Sequence, residues 1–277
     1  MRGVTSLVLF FLLFGCSASN YGDSFLSLRY ASHGKDVIWI PTKREIAVAM
    51  LLAANVSAED VLYDLGSGDG VIPIQAARQF GSKAVGIEYN PDLVALAERN
   101  ASRAKVENLV SFKRGDIFSE DFSQATVITL YLGEDINIRL KPTLLSMKPG
   151  TRIVSNTFKM GTWIPDQELK LNSGERAYLW TVPVKLEGRW ELSGPPPFED
   201  VSLSIRQRKQ FFDALLSTRS QKKVYTTEGR IDGAKVFFEV TDSDGKRFSF
   251  RGEAKEGRLT GSLNNDSSLL VSGLRSP

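Results

Sequence analysis

Short apolar runs alternate with helix-patterned stretches through the first two thirds of the chain. Lys43–Leu52 reads as a helix, with Pro41 ahead of it and Thr42 in the capping position; Glu45, three residues on, completes a capping box. Asp60–Leu65 is a short apolar strand running into glycines, and Val71–Phe80 is the helix that follows. Lys83–Glu88 and Pro91–Ala104 repeat the pair. Val110–Lys113 is a third strand ending at Gly115-Asp116, and Ala125–Leu132 a fourth, bracketed by Ser123 and Gly133. Leu140–Met147 is helical, Lys148-Pro149-Gly150 turns, and Arg152–Asn156 is a fifth strand. Alternation at this spacing predicts a parallel sheet with helices on both faces. Ligands on such a sheet bind beyond the carboxyl ends of its strands.

From about Lys185 the pattern changes to period two. Gly188–Leu192, Val201–Ile205, Val236–Val240 and Arg247–Phe250 alternate as strands do. Gly229-Arg230-Ile231-Asp232-Gly233 is echoed by Gly257-Arg258-Leu259-Thr260-Gly261, as expected of successive hairpins. This predicts a small antiparallel β-domain, barrel-like or sandwich-like. Asp242, Asp244 and Gly245 resemble part of a calcium loop, but Val240 stands where an acid is needed, so the segment reads as a hairpin turn.

Candidate chemistry gathers where the first three strands end. Gly66, Gly68 and Gly70, with Ser67 between the first two, let backbone approach a ligand without Cβ interference. Asp64 closes the first strand, Glu88 the second, and Asp116 follows the third. S-Adenosylmethionine offers an amine for Asp64, a ribose diol for the two oxygens of Glu88, and an adenine amino group for Asp116, with Ile117 against the ring. A dinucleotide site also pairs glycines with a later acid. Here, however, the spacing is G-x-G-x-G rather than the G-x-G-x-x-G used on a pyrophosphate. Glycines that merely turn the chain leave the three acids unexplained.

Net charge is only +3, from 35 Lys and Arg against 32 Asp and Glu, so no nucleic-acid partner is expected. The single cysteine, Cys16, excludes an internal disulfide, and no Cys/His cluster suits a metal. The single histidine, His33, lies in a polar stretch and reads as a solvated linker residue.

Met1-Arg2 followed by the apolar run Val4–Phe14 suits a signal peptide; a membrane span needs about 20 residues. Leu13-Phe14-Gly15-Cys16 resembles a bacterial lipobox, which implies a lipoprotein of the cell envelope anchored through Cys16. The alternatives are secretion after cleavage at Ala18 and an uncleaved anchor. The expected organisation is therefore a signal over residues 1–18, a linker over 19–36, a donor-binding domain over 37–184 and the β-domain over 185–277.

Asp64-Leu65-Gly66-Ser67-Gly68-Asp69-Gly70 resembles motif I of class I methyltransferases, and Gly115-Asp116-Ile117-Phe118 resembles their acidic loop. The stretch from Ile40-Pro41-Thr42 to Trp163-Ile164-Pro165-Asp166 is similar to bacterial relatives of the mitochondrial lysine methyltransferases that act on the c-ring protein of ATP synthase. Landmarks are Pro41-Thr42, Thr129-Leu130-Tyr131-Leu132, Lys148-Pro149-Gly150-Thr151-Arg152 and Met160-Gly161-Thr162-Trp163. Ile38-Trp39 and Thr162 depart from the usual pattern, on the substrate side.

The resemblance implies a Rossmann-like enzyme that binds S-adenosylmethionine and methylates a protein amine, a lysine, near a membrane. Tyr131 is the candidate group facing the acceptor, whether protein or small molecule; the alternative is that it is simply a core or wall aromatic. The run Thr129–Leu132 lacks the Asn-Pro-Pro-Tyr or Asp-Pro-Pro-Tyr used on adenine and glutamine amides. Two other readings are a non-catalytic envelope protein whose β-domain binds a partner, and a nicotinamide-dependent oxidoreductase.

Overall fold

The computed structural model describes residues 38–171, 174–218, 224–241 and 244–276. Cys16, His33, Asp242 and the whole signal and tether lie outside the described residues. Helix α1 (Arg44–Ala53) leads into β1 (Val61–Leu65), α2 (Val71–Phe80), β2 (Lys83–Glu88), α3 (Pro91–Ala104), β3 (Val110–Arg114), β4 (Val127–Leu130), α4 (Glu134–Leu145) and β5 (Arg152–Asn156). A hairpin of β6 (Gln167–Lys170) and β7 (Arg176–Thr181) completes a seven-stranded sheet in the order β3-β2-β1-β4-β5-β7-β6. β1 to β5 run parallel, and β7 is antiparallel to both of its neighbours.

Successive strand residues feed opposite faces, as the pleat requires. Val127 and Val154 pack under α1, α2 and α3, with Met50, Leu51 and Ile74. Ile128, Leu130 and Ile153 pack on the other face under α4, with Leu140, Leu144, Trp163 and Trp180. The expected two-sided parallel sheet is the observed one.

Three details differ from the sequence reading. Helix α1 begins at Arg44, with Lys43 in the N-cap position and no side-chain cap bond. Thr42 therefore does not cap; it faces the cleft described below. Helix α4 starts at Glu134, more than a turn before Leu140, because Gly133 (φ 99°) ends the fourth strand's loop abruptly. The β6–β7 hairpin has no counterpart in the sequence reading. β6 is a four-residue edge strand with three polar positions, so its own sequence carries almost no apolar period.

The second unit is a closed antiparallel barrel of β8 (Gly188–Ser193), β9 (Val201–Arg208), β10 (Phe211–Thr218), β11 (Val224–Asp232), β12 (Lys235–Thr241), β13 (Arg247–Lys255), β14 (Arg258–Leu263) and β15 (Asp266–Arg275). β15 pairs with β8, which removes both sheet edges. Alternate residues fill the interior, among them Trp190, Phe212, Phe238 and Phe250, with Phe238 and Phe250 stacked at 4.8 Å. The interior is packed core. Among the described residues no helix is long and apolar enough to cross a membrane.

Candidate active site

At the carboxyl ends of β1, β2 and β3 an open cleft encloses about 930 Å³ of non-protein space, part of it continuous with solvent. Asp64, Gly66, Ser67, Gly68, Glu88, Asp116, Ile117 and Tyr131 all line it, so the candidate residues chosen from the sequence converge on one place. The convergence follows from topology. Parallel pairing of β1 with β2 and of β2 with β3 brings the three strand ends side by side.

The glycine loop forms the floor. Gly66 and Gly68 adopt positive φ, 78° and 54°. A Cβ on Gly66 would lie 2.5 Å from Leu132 Cδ2, and one on Gly68 would lie 2.5 Å from Trp39 Nε1. The backbone at both positions is thus approached more closely than any L side chain allows. Gly66 and Ser67 donate their N–H groups to Ile87 O at 2.8 and 3.1 Å, which ties the loop to β2. Ser67 Oγ is buried without a hydrogen-bond partner among the described residues.

Glu88 organises the wall beside this loop. Its Oε2 accepts from the Gly68 N–H at 3.0 Å and its Oε1 from the Asn90 N–H at 2.9 Å. Each oxygen keeps a further lone pair. Asp116 Oδ1 accepts from the Phe118 N–H at 3.0 Å, which closes a tight turn and holds Gly115-Asp116-Ile117 along the cleft. Asp64 is 3% exposed and accepts from Thr129 Oγ1 at 2.6 Å.

Burial pushes the Asp64 carboxyl up to about 7. Thr129's hydrogen bond opposes the shift, and the charges of Glu88 and Asp69 add to it. Asp69, inside the glycine loop, is pushed up to about 6, also by burial, against the pull of the Val71 N–H. Asp64, Asp69, Glu88 and Asp116 make the lining acidic, and no lysine or arginine lines the cleft among the described residues. Such a cleft attracts a cation and repels a pyrophosphate. An amine and a sulfonium fit it, and the two-oxygen Glu88 and the apolar Ile117 give a nucleoside its contacts. S-Adenosylmethionine fits the residues present; a nicotinamide dinucleotide does not.

Tyr131 follows the end of β4, and its ring stacks on Phe158, after the end of β5, at 6.0 Å. Tyr131 lines the cleft on the β4 side, and Phe158 packs behind it. Trp163, by contrast, is fully buried and packs against Trp180 rather than facing the cleft. Three contributors escape the sequence reading. Asp69 is legible as a fourth acid within the motif itself. Thr129 needs the β1–β4 register, which sets it opposite Asp64. Trp39 over Gly68 has no spacing signal.

A family model described as the ANTKMT methyltransferase domain matches residues 64–167 and stops short of the barrel. A protein-lysine N-methyltransferase from Saccharolobus islandicus is 38% identical over 160 residues, covering 56% of this chain and 98% of that protein. The chain belongs to the class I methyltransferases related to protein-lysine N-methyltransferases. The mouse adenine nucleotide translocase lysine N-methyltransferase is 37% identical over 106 residues, covering 38% of this methyltransferase and only about half, 46%, of the mouse protein. A solved structure of an RNA methyltransferase from Salinibacter ruber, in complex with S-adenosyl-L-homocysteine, is 49% identical. It covers 53% of this chain and 96% of that one, with a TM-score of 0.52.

The Salinibacter structure overturns the expectation of no nucleic-acid partner. That expectation rested on a net charge of +3, and net charge averages over a whole surface. It carries no information about one local site.

Proposed function

We propose that this methyltransferase transfers a methyl group from S-adenosylmethionine to the side-chain amine of a lysine in a protein acceptor. The observation that carries the donor side is the cleft itself: glycine-floored, lined by four carboxylates and by no basic residue among those described. The acceptor side rests on the Saccharolobus enzyme, matched over nearly its whole length, and on the absence of an Asn-Pro-Pro-Tyr or Asp-Pro-Pro-Tyr run at Thr129–Leu132.

Each residue then has a task. Asp64 receives the donor's amine, and its Thr129 bond holds the carboxylate in place. Glu88 accepts the two ribose hydroxyls with its remaining lone pairs. Asp116 accepts from the adenine amino group, and Ile117 packs on the ring. Gly66 and Gly68, in left-handed conformation close under Leu132 and Trp39, shape the floor on which the donor lies, and Ser67 between them completes it. When bound, S-adenosylmethionine supplies a methyl group on a positively charged sulfur, which leaves as a neutral thioether. Tyr131 and Phe158 exclude water from the approaching amine, whose ordinary pKa of about 10.4 must fall for its lone pair to attack. The Tyr131 hydroxyl accepts an N–H of that amine and aligns it. The proton released after N–C bond formation passes to solvent at the cleft mouth.

A second reading, an RNA acceptor, is favoured by the 49% identity to the Salinibacter protein. Incubation of the full chain with tritiated donor and a cell extract separates the two. Label removed by protease and recovered as methyl-lysine supports the first reading. Label removed by nuclease replaces it with the second.

A further inference from the structure

The barrel is bolted to the segment that follows β5 and carries Phe158 against Tyr131. Residues 157–166 connect β5 to β6 and leave the sheet at the carboxyl end of β5, next to Tyr131. Their first part is held by α4. Asn137, fully buried, donates its amide to Ser155 Oγ at 3.0 Å and to the carbonyls of Phe158 and Lys159 at 3.3 Å each. Gly161 then passes close against Ile138, where a Cβ would meet Ile138 Cδ1 at 3.2 Å.

The second part is held by the barrel. The β9–β10 turn, Lys209-Gln210, points at the sheet domain rather than into solvent. Gln210 is 1% exposed; its Oε1 accepts from Trp163 Nε1 at 3.1 Å, and its Nε2 donates to Ile164 O at 2.6 Å. Lys209 Nζ donates to Thr162 O at 2.9 Å and lies 3.3 Å from Thr162 Oγ1. Trp163 in turn receives the indole N–H of Trp180, from β7, on its carbonyl at 2.9 Å.

We propose that Gln210 is a positioning residue for methyl transfer. Supplied by the barrel, it fixes Trp163 and Ile164 and thereby the loop that carries Phe158 against Tyr131. This inference rests on the acceptor approaching at Tyr131. A buried apolar side chain of similar size would fill the space as well, but it would set neither the Trp163 ring nor the Ile164 carbonyl. The two amide bonds fix an orientation, which is what a buried polar pair adds beyond packing. Transfer is sensitive to such placement, since a misalignment of about 1 Å costs on the order of 100-fold in rate. The barrel thus acts as a template for the acceptor side of the active site and is more than an appended module.

The test uses the full chain with Gln210→Leu, which removes both bonds at similar volume. Initial rates of label transfer from tritiated S-adenosylmethionine are measured against extract concentration, beside donor affinity by calorimetry. The maximal rate is expected to fall about 10- to 100-fold while donor affinity stays within about twofold. Hydrogen exchange should quicken in peptides covering 157–164 and stay unchanged over β1 and β2. A folded variant with the wild-type rate, or with unchanged exchange over 157–164, overturns the proposal. Lys209→Ala, at a half-exposed position, guards against a folding failure. It should slow transfer in the same direction by about two- to fivefold, as loss of one modest hydrogen-bond contact does, and a wild-type rate for it also counts against the proposal. Loss of donor binding in the wild-type protein would instead defeat the methyltransferase reading. Labelling of RNA would change the acceptor and leave the comparison of rates intact.

Discussion

Thr129 and Asp64 face each other across β4 and β1, in parallel register, and share a 2.6 Å hydrogen bond at the base of the cleft. The bond stabilises the ionised carboxylate against burial that pushes it up to about 7. An acid whose folded pKa is raised binds more protons in the folded chain than in the unfolded one. Its contribution to stability is full below about 4 and is lost as pH rises towards 7. The donor-free protein should therefore lose stability between about pH 4 and 7, with Asp69 adding to the loss up to about 6, and Asp64→Asn should remove Asp64's share of it and leave that of Asp69. Thermal unfolding of both chains across that range checks this.

Donor binding should run the opposite way. A cationic amine prefers the ionised Asp64, so calorimetric affinity for S-adenosylmethionine should rise as pH increases through about 7. Thr129→Val removes the opposing hydrogen bond and should move that rise to higher pH. An affinity flat from pH 5.5 to 8.5 would contradict the role given to Asp64.

Glu88 already spends one lone pair of each oxygen on the Gly68 and Asn90 N–H groups. Glu88→Ala removes both the wall of the cleft and the ribose acceptor. Hydrogen bonds to a charged group are worth about 1.5–3 kcal/mol each, so donor affinity should drop at least about tenfold. Equal affinity in wild type and variant would exclude Glu88 from the donor site.

At Gly68 a methyl group would meet Trp39 Nε1 at 2.5 Å and would impose an L side chain on φ 54°. Gly68→Ala should cost about 1–2 kcal/mol from the backbone alone and should displace Trp39. Steady-state tryptophan fluorescence and a lowered unfolding midpoint report the two effects.

Tyr131→Phe keeps the ring that stacks on Phe158 and removes the hydroxyl. The maximal transfer rate should fall about tenfold with donor affinity unchanged, as expected for one lost aligning hydrogen bond. Tyr131→Ala should also raise the acceptor concentration needed for half-maximal rate. If Tyr131→Phe matches wild type, the tyrosine acts only as a wall.

Much of the sheet is legible because its strands are short apolar runs ended by glycine or by an acid. β2, α2, α3 and β5 fall on the residues their pattern marks. The acids Asp64, Glu88 and Asp116 are visible for the same reason, since a parallel sheet delivers strand ends to one place. What escapes depends on contacts between distant segments. Thr129 has meaning only through its register with Asp64, and Gln210 only through a barrel turn that meets Trp163 across 47 residues of sequence. β6 escapes because three of its four residues are polar and its place comes from pairing with β7. Thr42 looks like a cap because sequence spacing cannot tell a capping hydroxyl from one turned towards a ligand.

Titration of the full chain with S-adenosylmethionine, S-adenosylhomocysteine and a nicotinamide dinucleotide, at pH 8, is the most direct measurement. Both sulfur nucleosides should bind at one site per chain, the dinucleotide should not bind, and Glu88→Ala should weaken both nucleosides. Failure of both nucleosides to bind, or saturable binding of the dinucleotide in their place, would contradict the account.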